Sequence, residues 1–312
     1  MPVITPASQP VLARAEIEDR FHRFVLGLPD SSGGEPSPAE LATLKRLESL
    51  STRFDMRSLP RLPSVLPQLL RTLKSDDAAG GQLAKLVGRD PLMVGEVMRV
   101  TGSVYYRSAQ PITSLQQAVV LLGQDGLRRM LTQHVMKPIL QANAGALGHA
   151  AGARLWDHAE RCAHACAWLG RNNGCDAFEA YLAGIIRHTG TGAVVRLLDQ
   201  WMPTVDEPPS PGFLAGCAGL AARLSLQAAQ YWELPSQVTD AMAAGHDPAS
   251  PPSSPLGKAL AMANLLAMAQ LLAEHGRLPG DPDLHQGGAE PYAPALLARC
   301  RQDLKNNFPV TN

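Results

Sequence analysis

The sequence predicts an all-α protein, and three observations carry that expectation. Aromatic residues make up only 5% of the 312 residues, while alanine and leucine recur throughout, a balance that favours helix over strand. Apolar residues return at helical spacing along most of the chain, with no convincing strand and no repeat of fixed period. Helix-opening signatures are frequent: Ser37-Pro38-Ala39-Glu40 and Ser114 with Gln117 read as capping boxes, and Asp90-Pro91 as an N-cap followed by a first-turn proline.

In chain order, residues 1–10 read as a disordered tail. Ile17, Phe21, Phe24, Val25 and Leu28 mark a first helix, and the Pro29–Gly34 run reads as a flexible link. The helix opened by Ser37 should bury Leu41, Leu44 and Leu47. A proline-punctuated segment, LPRLPSVLPQLL, leads into a short helix through Leu66, Leu69, Leu70 and Leu73, and Leu83, Leu86 and Val87 mark the next. The Asp90-capped helix carries Met93, Val94, Val97 and Met98. The Ser114-capped helix carries Ala118, Val119 and Leu122 and stops at Gly123. Asp125 then caps a helix through Leu127, Met130, Leu131 and Val135.

From Leu155 the chain reads LWDHAERCAHACAWLGRNNGCDAFEAYLAGIIRHTGTGAVV. One long helix is expected up to Asn172-Asn173-Gly174, then a second over Phe178–Ile186 that ends in an Arg187–Gly190 turn. Residues 203–212 read as a Pro-rich loop. Helices are expected over Phe213–Trp232, from Pro235 to Ala244, over Leu256–Glu274 and over Ala295–Leu304, with irregular stretches after His246 and after Leu278.

Composition narrows the function classes. Lysine plus arginine equals aspartate plus glutamate, 28 each, so no global basic field draws the chain to nucleic acid or to a membrane surface. The most apolar segment, Ala259–Ala273, is interrupted by Asn264 and Gln270 and is shorter than the ~20 residues of a membrane span. With no basic n-region before an apolar core at the N-terminus, no signal peptide is expected. The five cysteines are an odd number in a chain too large to need disulfide staples, which favours reduced thiols and a cytoplasmic setting.

The candidate chemistry lies in the central helix pair. His158, Cys162 and Cys166 fall at i, i+4 and i+8 on one helix face, a spacing compatible with zinc, but structural zinc usually wants four closed ligands, so core packing is the expected role of both thiols. His158 and His188 can present both imidazoles to one pocket. Arg187, followed by Thr189-Gly190-Thr191-Gly192, offers a guanidinium and backbone N–H groups to an anion; a plain inter-helix turn is the competing reading. Lys85, Arg89, Arg99, Arg128 and Arg129 read as solvated helix faces, and Trp156, Trp168 and Trp232 as core. No Walker loop or serine nucleophile elbow is present.

Five segments, taken together, resemble a known family. LPRLPSVLPQLL, LAKLVGRDPLMVGEVMRV and PITSLQQAVVLLGQDGLRRML are similar to the first half of the HDOD domain. LWDHAERCAHACAWLG with AYLAGIIRHTG, and AAQYWELPSQVTDAM, are similar to its second half, in the expected order. The resemblance covers about 59–247. It implies an HDOD/HD-domain-like bundle of many short helices with a domain at 59–250, split into a helical subdomain at 59–140 and a degenerate HD-like subdomain at 146–250. Residues 1–58 would then be a tail with accessory helices, and 251–312 C-terminal helices packed on the HD-like part.

HDOD domains are relatives of the HD metal-dependent phosphohydrolases and are usually regarded as non-hydrolytic regulatory modules of bacterial signalling. This chain departs further from the hydrolases. Where they carry Gly-Leu-Leu-His-Asp-x-Gly, it has Gly184-Ile185-Ile186-Arg187-His188-Thr189-Gly190, so a ligand histidine becomes Arg187 and the aspartate becomes His188. His158 matches the first histidine of the hydrolase pattern, and His246 lies near the end of a helix where the family often has paired histidines. The resemblance thus implies a vestigial pocket of His158, Arg187, His188 and His246, with no catalytic residue, metal or other cofactor. The expected function is non-enzymatic signalling through a protein partner or through self-association. A metal-dependent phosphodiesterase rebuilt from His158, His188 and His246, and a non-catalytic nucleotide sensor using Arg187, are the alternatives.

Overall fold

The computed structural model describes residues 13–30, 33–52, 84–85, 87–102, 112–141, 148–201, 208–244, 251–278 and 292–309. Among these the regular structure is helical, in the order α1 (Arg14–Leu26), α2 (Pro38–Thr52), α3 (Pro91–Thr101), α4 (Leu115–Gln141), α5 (Gly148–Asn172), α6 (Ala177–Ile186), α7 (Thr189–Trp201), α8 (Pro211–Tyr231), α9 (Ser236–Ala243), α10 (Pro255–Glu274) and α11 (Pro294–Asn307). The all-α expectation is borne out. The expected helix through Leu66–Leu73 and the residue His246 lie outside the described residues.

The capping signatures act as written. Ser37 and Glu40 close a reciprocal box, the Ser37 amide donating to Glu40 Oε2 at 2.7 Å and the Glu40 amide to Ser37 Oγ at 3.2 Å. Ser114 and Gln117 do the same at 3.3 and 3.2 Å, and the Met93 amide reaches Asp90 Oδ1 at 3.4 Å. Each such pair satisfies amides that the first helical turn leaves without a carbonyl. Gly123, at φ 67° and ψ 175°, breaks α4 into the two expected halves, because only glycine takes that backbone without strain. α1 ends on Gly27 in the left-handed region, with the Leu28 amide folded back onto the Arg23 carbonyl at 2.8 Å.

Helix α5 is the axis of the bundle. α6, α10, α4, α7, α1 and α11 all pack on it. α10 is long and apolar enough to cross a membrane by composition, yet 78% of its most apolar window is buried inside the bundle; it is the helix that α5 and α1 close around. α2 and α7 pack with α8 in a second, smaller apolar cluster built on Leu47, Leu198, Phe213 and Leu220.

Several expectations need correction. α5 begins at Gly148, about two turns before Leu155. The expected turn is confined to Arg187-His188, and Thr189 already opens α7, a helix the Thr-Gly-Thr-Gly pattern concealed. Gly190 is there for contact: a Cβ on it would run into the Ala221 carbonyl and lie 2.7 Å from the Ser225 nitrogen, so glycine lets α7 rest on the backbone of α8. Leu41 is 47% exposed, on the outer side of α2. Arg128, expected on a solvated face, is buried, with Asp125 at 3.6 Å. Trp156 and Trp232 are core, and Trp168 is half-buried.

Candidate functional site

Local packing puts the central side chains together. His158 and Cys162 are one turn apart and share a face of α5. Gly184 brings α6 hard against that face: a Cβ there would meet Ala163 Cα at 2.6 Å and the Cys162 carbonyl oxygen at 2.9 Å. The chain leaves α6 through Arg187 and His188, and Ser225 of α8 pins this turn. Its hydroxyl donates to the Arg187 carbonyl at 2.7 Å and accepts from the Gly190 amide at 2.8 Å.

The result is a buried trio. One donor atom each of His158, Cys162 and His188 lies within 4.8 Å of the others, and all three residues are buried. The imidazoles meet edge to face, with ring centroids 4.4 Å apart. Phe21 of α1 lies against His158 with centroids 4.3 Å apart, and His158 itself is 0% exposed. His158 Nε2 and Asn264 Oδ1 are 3.1 Å apart. Because an amide oxygen only accepts, Nε2 carries the proton, and Nδ1 keeps its lone pair. His158 Nδ1 and His188 Nε2 are buried without a hydrogen-bond partner.

Electrostatics keep the pocket neutral. Burial pushes the His158 pKa down to about 3, and the Arg187 and Arg161 charges push the same way against the Asn264 hydrogen bond. His188 is held well below its ordinary value by burial, with His158 and Arg187 adding to the effect. Burial raises the Cys162 thiol to about 12, with Arg187 opposing it, and lifts Cys166 well above its usual range. All five cysteines are free thiols. Arg187 itself is half-buried, and desolvation lowers its pKa.

The sequence paired His158 with Cys162 and Cys166, and separately with His188. The structure joins His158 and Cys162 to His188 and leaves Cys166 in the core. The anion cradle imagined after Arg187 is spent internally, since the Gly190 amide bonds Ser225 and the Thr191 and Gly192 amides bond the His188 carbonyl. Asn264, Ser225 and Phe21 are the site residues that sequence reasoning missed. Asn264 left a trace, as a lone amide in the most apolar helix of the chain.

The residues present do not fit the metal set of an HD hydrolase. The trio offers two imidazoles and a thiol with no carboxylate, and a guanidinium stands at the position of a ligand histidine. Hydrolytic divalent pairs are held through carboxylate and imidazole, and a guanidinium cannot coordinate.

A helical bundle organised on one long central helix, with a buried His-Cys-His cluster formed where the next helix ends in a two-residue turn, defines an all-α protein of the helical-bundle class. More narrowly, the chain belongs to the HDOD domain family, which matches residues 59–248. An uncharacterized protein of Treponema pallidum (strain Nichols) is 24% identical over 238 residues, 72% of this chain; the chain spans 44% of that relative's length. A crystal structure of a putative metal-dependent phosphohydrolase from Shewanella amazonensis SB2B covers 86% of this chain and 99% of its own, at 17% identity and a TM-score of 0.58. That of a putative signal transduction protein from Marinobacter aquaeolei VT8 covers 97% of this chain and 64% of its own, at 19% identity and a TM-score of 0.52. At these identities the likeness to solved structures is one of fold.

Proposed function

We propose that the protein is a non-enzymatic regulatory module that works by binding a protein partner. The observation that carries this reading is the buried cluster, in which the described metal-capable side chains are two imidazoles and a thiol. His158 lies under Phe21 with no exposure, and Arg187 and His188 occupy the positions where the hydrolases have His-Asp. A hydrolase needs an open metal position and a path for its phosphate ester; neutral imidazoles packed against a phenyl ring supply neither. Membership of the HDOD family and the fold shared with the putative signal transduction protein of Marinobacter support the same reading. With equal numbers of acidic and basic residues, shape and apolar contact would govern recognition more than net charge.

The experiment is affinity capture with the full chain from extract of its source cells, paired with light scattering on the purified protein. A reproducible partner at defined stoichiometry, or a stable self-assembly, is the expected result. A monomer that retrieves nothing counts against the proposal. The fold shared with the putative metal-dependent phosphohydrolase of Shewanella favours one competing reading, a metal-dependent phosphohydrolase. Turnover of a cyclic dinucleotide or nucleotide by the chain with manganese or iron would replace the non-enzymatic reading with that one.

A further inference from the structure

The trio of His158, Cys162 and His188 is unsuited to a hard hydrolytic metal pair, but it is not chemically idle. Two imidazoles and one thiol with donor atoms within 4.8 Å of one another form a soft, three-donor set. Thiolate and imidazole together select thiophilic transition ions over magnesium, calcium or manganese. A second and independent observation points to a ligand. Two ring nitrogens, His158 Nδ1 and His188 Nε2, are buried with no hydrogen-bond partner, on residues that are 0% and 5% exposed. Unpaired polar atoms at such depth cost free energy, and few are left in a native fold without a reason.

We propose that His158, Cys162 and His188 bind a single Cu(I) ion. Charge decides in favour of the monovalent ion. A Cys162 thiolate and Cu(I) sum to zero, so Arg187 at the adjoining turn meets a neutral centre, whereas a divalent ion would leave a net positive centre beside the guanidinium in a desolvated pocket. Binding displaces one proton, from Cys162 to solvent, with no change of oxidation state. Asn264 has the role of an outer-shell partner. By accepting from His158 Nε2–H it fixes the tautomer and leaves the Nδ1 lone pair for the ion, the arrangement usual for ligating histidines. Closure over the site comes from Phe21. The inference stands or falls separately from the regulatory reading, because it concerns occupancy of the pocket and not a partner.

The test is titration of the reduced full chain with Cu(I) in competition with a chromophoric Cu(I) chelator, with the coordination shell read by X-ray absorption. One ion per chain, bound through one sulfur and two nitrogens, is expected. Loss of an outer-shell partner typically costs ~10–100-fold in affinity, so Asn264→Leu should weaken binding by that factor, and Cys162→Ser or His188→Asn by more. Cys175→Ser, on the α5–α6 link, should leave affinity unchanged. If a variant of the buried trio loses its helical circular dichroism, the absorption spectrum of the wild-type chain decides alone. No binding against the chelator, a sulfur-free shell, or affinity unchanged in both Cys162→Ser and His188→Asn overturns the site. Displacement of Cu(I) by Zn(II) overturns the choice of a monovalent ion.

Discussion

Two polar clusters share helix α5 and behave in opposite ways. His158 faces Asn264 on α10, while Glu160, two residues on and about 200° round the helix, faces Gln133 on α4. The first cluster is sealed and carries no formal charge of its own; the second is half-buried. Glu160 accepts from Gln133 Nε2 at 3.2 Å, and burial raises its pKa to about 7, with Asp157 adding to the rise and Lys137, Arg161 and a hydrogen bond from Trp156 opposing it. Tyr181, under the guanidinium of Arg129 at 5.5 Å, is pushed well up chiefly by burial and then by Glu160, so its phenol stays protonated. The contrast teaches that depth alone silences a base, whereas partial depth moves an acid into the range where cells operate.

The two clusters therefore respond to pH with opposite sign. A histidine depressed on folding takes up its proton in the unfolded chain first, so the pocket loses stability as pH falls from 6.5 towards about 3. A carboxyl raised on folding holds its proton longer in the folded chain, so the Glu160 seam loses stability as pH rises from 4.5 to about 7.

The severest way to break the comparison is Gly190→Ala. Its Cβ meets backbone on α8, which cannot turn aside, and the His188 turn must move. A loss above ~4 kcal/mol is expected in chemical denaturation, close to unfolding the chain. Asn264→Leu keeps the volume and removes the acceptor from His158, at a cost of ~1–3 kcal/mol; its thermal midpoint should fall at neutral pH while the downward slope between pH 6.5 and about 7, above the range where the histidines titrate, persists. A vanished slope would mean that the two clusters are coupled across α5. Glu160→Gln should flatten that slope and stabilise the chain at pH 8 by at most ~2 kcal/mol, allowing for its contact with solvent. Thermal midpoints across pH check it, and an unchanged profile would remove Glu160 from the account. The smallest effect belongs to Val120→Ser, at a residue 84% exposed. Its stability should change by less than ~0.5 kcal/mol, which sets the baseline for the others.

Much of the fold was legible because local chemistry decided it. Capping boxes at Ser37 and Ser114, the Gly123 break and the Asn172–Gly174 stop depend on residues a few positions apart. α7 was not legible: Thr189-Gly190-Thr191-Gly192 has turn composition, and only the close approach of α8 explains why glycine is wanted inside a helix. In the site, His158 and His188 were visible as residues and as a pair. Their surroundings were not, because Phe21 and Asn264 arrive from 137 and 106 positions away from His158 along the chain, and no periodicity reports such distant meetings. Arg128 was misjudged for a similar reason, since its burial follows from how α4 is rotated against the bundle and not from its own spacing.

The placement of Phe21 and Asn264 has a consequence for how the chain is divided. Both lie outside residues 59–248, the stretch that matches the family, yet they furnish the lid of His158 and its hydrogen-bond partner. α5, the axis of the bundle, has α1 and α10 along its flanks. The border of shared ancestry and the border of cooperative folding therefore do not coincide. A fragment trimmed to the ancestral stretch would start life with an open groove along its central helix, and its behaviour would describe that groove rather than the intact protein.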